Sequence, residues 1–176
     1  MTRRSKRYKW FLNFISTKIP FLSSLLILLL SFVNFGYFEA KPLLVLIPIF
    51  FWSMYKVKSF DFISVLLFAF IQDFLDGTQF GLNIFIFLSL HFIIYYQKFF
   101  PIDSSFVFSY LVFDIVAFIL IMIKYIIIST LFISNINFFN VLLSWAILIL
   151  FYPIFYLILN WLYIKLVGRY QWEMQS

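Results

Sequence analysis

Six apolar runs separated by short polar segments constrain this chain more than any other feature. They lie at about 20–35, 42–55, 60–75, 81–97, 105–133 and 139–163, and a perpendicular membrane span needs roughly 20 apolar residues, with about 17 as the lower limit. The second and third runs are short for this, and Pro48 interrupts the second. A re-entrant hairpin would bury Lys56, Lys58 and Asp61 at its tip, which is costly in hydrocarbon. Two spans that tilt or thin the bilayer locally are the better expectation. The chain is 65% hydrophobic and 11% charged, against roughly 45–50% and 25% for soluble domains. No soluble fold of 176 residues hides that much apolar surface. The expected fold class is an all-α integral membrane protein with six transmembrane helices. It forms one membrane domain over 19–165, between a basic segment at 1–18 and a short tail at 166–176.

The basic residues orient the bundle. Arg3, Arg4, Lys6, Arg7, Lys9 and Lys18 precede the first run, Lys56 and Lys58 follow the second, Lys98 follows the fourth, and Lys165 and Arg169 follow the sixth. With the N-terminus inside, eleven of the 13 Lys and Arg residues fall on the cytoplasmic side, which satisfies the positive-inside rule. Both termini are therefore expected in the cytoplasm, and the Asp76–Gly77 turn on the outer face. The start of the chain resembles a signal peptide, but no small-x-small cleavage site follows it, so the first run reads as an uncleaved span. Trp10, Phe11, Phe14 and Ile15 share one helical face and suit an interfacial segment. Placed this way, the net charge of +6 addresses membrane lipid, and no nucleic acid partner is expected. With no cysteine and one histidine, neither disulfides nor a protein metal centre is expected, and no cofactor.

The polar groups at membrane depth are few. Gln72, Asp73 and Asp76 close the third run, and Gly77 and Gly81 bracket a tight turn. A carboxylate in this setting needs partners and is a functional-site candidate by default. Asp114 and Lys124 lie on the fifth run and His91 on the fourth. Ten residues of helix rise about 15 Å, so Asp114 and Lys124 do not pair with each other. Depth along the spans predicts that Lys124 meets Asp73 or Asp76, and that Asp114 meets His91. These groups do not assemble a reaction: no activated Ser or Cys stands at a recognisable motif, and Ser89 is two positions from His91, on a different helical face. Nor does a basic cluster stand beside Asp73 and Asp76 to hold a phosphate. No enzymatic activity is expected. Gly77 and Gly81 fit a GxxxG spacing, but across a turn instead of along one apolar helix.

In this arrangement the chain resembles the MreD family of bacterial rod-shape-determining proteins. The resemblance begins at Lys41-Pro42-Leu43-Leu44, opening the second run, and includes Trp52 near its end. Its core is an Asp closing the third span, a small polar turn and a Gly opening the fourth, here Asp73-Phe74-Leu75-Asp76-Gly77-Thr78-Gln79-Phe80-Gly81. Asp114 within Val112-Phe113-Asp114-Ile115, and Pro153 in the last span, also fit. Gln72 and Asp76 depart from the family pattern, which favours small or neutral residues there, and His91 and Lys124 match no family position. The resemblance implies a six-helix fold similar to the S-components of energy-coupling-factor transporters. It also implies a non-enzymatic subunit of the rod complex, or elongasome, that binds MreC and works with MreB, RodA and a penicillin-binding transpeptidase. Such a subunit helps organise lateral peptidoglycan synthesis and maintain cell shape.

Two functions follow from these readings. In the first, Asp73, Gly77 and Gly81 shape the outer ends of the third and fourth spans, and a partner helix docks nearby. In the second, an outer pocket lined by Asp73, Asp76, Asn83 and Lys124 binds a small molecule such as a vitamin for uptake, as S-components do.

Overall fold

The computed structural model describes residues 18–31, 42–55, 60–76, 81–96, 105–131 and 137–168. Among these residues the chain is all-helical, with no strand. The helices are α1 (Lys18–Leu30), α2 (Leu46–Met54), α3 (Phe62–Asp76), α4 (Leu82–Tyr96), α5 (Phe106–Leu131) and α6 (Phe138–Leu162). A π-helical turn, Tyr163–Gly168, continues α6, with the Lys165 ammonium 4.6 Å from the centroid of the Trp161 ring one turn earlier.

Short polar side chains start several of these helices by taking up N–H groups that the first turn leaves without partners. The Asp61 carboxylate accepts from Ser64 N at the head of α3. Ser105 Oγ accepts from Phe108 N before α5, and Asn137 Oδ1 from Phe139 N before α6. Pro48 stands in the first turn of α2, where its missing N–H has no intrahelical carbonyl to lose. The expected interruption at Pro48 is thus a helix start. It is reached through tight turns in which Leu46 N bonds to Leu43 O and Ile47 N to Leu44 O. Pro153 is accommodated inside α6.

The nine residues of α2 are all buried, as a helix that is apolar on every side requires. Helices α1, α4, α5 and α6 pack against it. Trp52 donates from Nε1 to Ser23 Oγ on α1 at 3.2 Å, and Ser53 Oγ lies 2.7 Å from His91 Nδ1 on α4. Phe50 meets Phe113 of α5 edge-on and Tyr152 of α6, while Phe51 meets Tyr156. The second apolar run is therefore the bundle's centre. A helix enclosed by protein does not need the length that a lipid-facing span needs.

Two helices, Phe106–Thr130 and Phe138–Lys165, are long and apolar enough to cross a membrane. At 26 and 25 residues, α5 and α6 rise about 39 and 38 Å. α3 and α4, at 15 residues each, rise only about 22 Å, short of a hydrocarbon layer of roughly 30 Å. Most residues of the two long helices are unburied. Large apolar side chains also stand outward on α1, α3 and α4, among them Leu26, Ile63, Phe74 and Phe85. Exposed apolar surface on this scale suits a lipid environment.

Candidate functional site

Where α3 ends and α4 begins, Gln72, Asp73, Asp76 and Asn83 come together with Lys124 of α5. Asp73 is buried near the C-terminal end of α3. Its Oδ2 accepts from Gly81 N at 2.8 Å and its Oδ1 from Asn83 N at 2.9 Å. Gly81 is the N-cap of α4, since its carbonyl accepts the first helical bond, from Phe85 N. One carboxylate thus takes up two of the orphan donors of α4 and puts negative charge at the positive end of that helix. Gly81 has a φ of +100°, which L side chains rarely adopt. A Cβ added there meets nothing within 4 Å, so the backbone angle alone selects glycine.

Asp76 extends the cluster one turn on. Its Oδ1 accepts from Gln72 Nε2 at 2.8 Å, and its Oδ2 from Asn83 Nδ2 at 3.1 Å. The ammonium of Lys124 on α5 lies 3.5 Å from the same Oδ2 and donates to Asn83 Oδ1 at 2.8 Å. Asn83 is therefore the hub. Its backbone holds Asp73, its amide nitrogen holds Asp76, and its amide oxygen holds Lys124, so that three helices are tied at one level. Lys124 and Asp76 are almost wholly enclosed, with side-chain exposures of 15% and 7%. Such a pair is held only because further hydrogen bonds satisfy its remaining valences. Gln72 leaves its Oε1 buried without a partner among the described residues. Turning the amide over would set that oxygen against the Asp76 carboxylate, so the orphan atom accompanies the better bond.

Lys124 thus meets a carboxylate of α3, namely Asp76, while Asp73 is held by the backbone of α4. The expected contact of Asp114 with His91 is not formed. Asp114 Oδ1 accepts from Trp145 Nε1 on α6 at 3.1 Å, and His91 turns to Ser53 on α2. Asp114 lies on the side of α5 that meets α6, and His91 on the side of α4 that meets α2. Gly77 lies outside the described residues, as do Thr78, Lys41, Lys56, Lys58, Lys98 and Arg169. Pro42 is buried at the entry to α2, where its carbonyl accepts from Leu44 N, and Pro153 is remote in sequence from the cluster.

From the sequence Asn83 had only a place in a pocket lining, although it joins Asp73, Asp76 and Lys124 in the cluster. Its signal was its position, an amide two residues after a glycine that opens an apolar helix. Beside the cluster a cavity of about 130 Å³ is lined by Leu43, Ile121, Lys124, Tyr125, Val141 and Ser144, with Ile128. Of the four side chains expected to line an outer pocket, Lys124 borders it. No family model, curated protein or solved structure matches this chain.

Proposed function

We propose that the chain is a non-enzymatic integral subunit of the bacterial inner membrane, with six helices traversing the bilayer and both termini in the cytoplasm. In this reading it serves the rod complex as an MreD-like scaffold. It binds MreC and helps organise lateral peptidoglycan synthesis with MreB, RodA and a penicillin-binding transpeptidase. The observation that favours a scaffold is the use made of the acidic turn. Both oxygens of Asp73 fasten α3 to α4, and Asp76 is engaged by Gln72, Asn83 and Lys124. Helices so locked present fixed apolar faces, and packing of such faces drives helix association in lipid. The test is co-purification. Asp73→Ala should insert at normal levels but recover less MreC, and depletion should round rod-shaped cells. Unchanged MreC recovery together with unchanged cell shape would remove the reading.

The cavity beside Lys124 is the observation that favours the second reading, a vitamin-binding subunit for uptake. At about 130 Å³ it is well below the roughly 300–1,000 Å³ of pockets that enclose such ligands, so the scaffold is preferred. Nanomolar binding of a vitamin to the purified protein would reverse that preference.

A further inference from the structure

At the opposite ends of α3 and α4, about 21 Å along the helices from the Asp73 cluster, lies a larger cleft that the scaffold reading does not use. It encloses about 440 Å³, within the size range of small-ligand sites. Its walls are aromatic: Phe62 and Phe92 with centroids 5.9 Å apart, and Tyr96 stacked on Phe92 at 5.5 Å. Tyr95, also in the lining, stacks on His91 at 5.3 Å. The cleft's one carboxylate is Asp61. Its Oδ1 accepts from Ser64 N and Oγ, and among the described residues no ion pair is made to it. His91 is held through Nδ1 by Ser53, and its Nε2 has no hydrogen-bond partner among the described residues.

The lining selects by charge. An anion would meet the Asp61 carboxylate, and a neutral apolar group would desolvate Asp61 without return. A cation meets the carboxylate favourably, among aromatic rings that attract positive charge where a face is open to it. A primary ammonium adds N–H donors that a quaternary one lacks. We infer that this cleft binds a primary alkylammonium, supplied by the headgroup of phosphatidylethanolamine in the surrounding bilayer. The inference rests on the membrane reading above. The lipid source follows from Phe62, Phe92 and Tyr96, which are 42%, 43% and 67% exposed and line the mouth where α3 begins and α4 ends. Tyrosines at helix ends mark the headgroup level. The lipid's phosphate remains in the headgroup layer and needs no partner in the cleft.

The test is native mass spectrometry of the purified full-length protein in detergent, titrated with phosphatidylethanolamine, phosphatidylcholine or phosphatidylglycerol. Phosphatidylethanolamine should bind at least about fivefold more tightly than phosphatidylglycerol, the advantage of one cation–π contact, with phosphatidylcholine between them. Asp61→Asn keeps an N-cap acceptor for α3 and should bring the two extremes within about twofold. Tyr96→Leu, at an exposed position, should weaken the preference without altering the melting temperature. Equal binding of the three lipids overturns the inference, and so does a folded Asp61→Asn protein that keeps the preference. Free ethanolamine binding as tightly as the lipid overturns the lipid source. Alkaline carbonate extraction separates the two readings. Protein that stays in the membrane pellet but shows no lipid preference loses the cleft alone, and protein released by carbonate loses the membrane reading.

Discussion

Asp73 is the side chain whose removal should cost the bundle most for its size. Asp73→Ala leaves Gly81 N and Asn83 N without their acceptor in a site where Asp73 itself is 1% exposed. Each buried donor left unsatisfied costs about 1–3 kcal/mol. Loss of negative charge from the N-terminal end of α4 adds about 0.3–2 kcal/mol. The expected destabilisation is therefore about 2–8 kcal/mol. Asp73→Asn separates this account from one of lost volume. Asparagine keeps the shape, but its one oxygen serves one N–H and its NH2 group faces the other, donor against donor. It should behave like alanine to within about 1 kcal/mol, although it is nearly isosteric with aspartate. The assay is reversible unfolding in mixed micelles with increasing sodium dodecyl sulfate, followed by helical circular dichroism. A cost below about 1 kcal/mol for Asp73→Ala, or an asparagine variant as stable as the parent, would refute the reasoning.

Other expectations follow from the same geometry. Lys124→Met and Asp76→Asn each strand a partner in a nearly enclosed site, at about 3–5 kcal/mol apiece. A double-mutant cycle should return a coupling of about 1–3 kcal/mol, and zero coupling would mean the pair does not form in solution. Gly81→Ala should cost about 1–3 kcal/mol through its φ of +100° alone. Gly81→Asn, which tolerates that region better, should recover part of the loss in the same unfolding assay. Phe50→Ala, which empties the contact of α2 with Phe113 and Tyr152, should cost about 3–5 kcal/mol. A loss under about 1 kcal/mol there would show that α2 is not the packed centre.

The fold was legible in outline because burial follows apolarity and helices follow length. The six runs correspond to six helices, while the capping roles of Asp61, Ser105 and Asn137 appear only in the structure. Composition alone specified more apolar side chains than an interior of this size can hold. The carboxylates Asp73 and Asp76 were equally visible as groups in need of partners, since a carboxylate between apolar runs is costly without them.

What composition and spacing did not contain is angle. Along a helix, position in sequence sets height well, at about 1.5 Å per residue, so Lys124 was correctly matched in depth to the carboxylates of α3. Direction around the axis is decided by which neighbours pack, and no local rule supplies it. Asp114 therefore turned to Trp145 and His91 to Ser53, and the pairing expected from depth did not form. The same holds for α2, whose run read as one more lipid-facing span until tertiary packing enclosed it on every side. Apolar residues mark what avoids water. Only the arrangement of the other helices decides whether protein or lipid takes water's place.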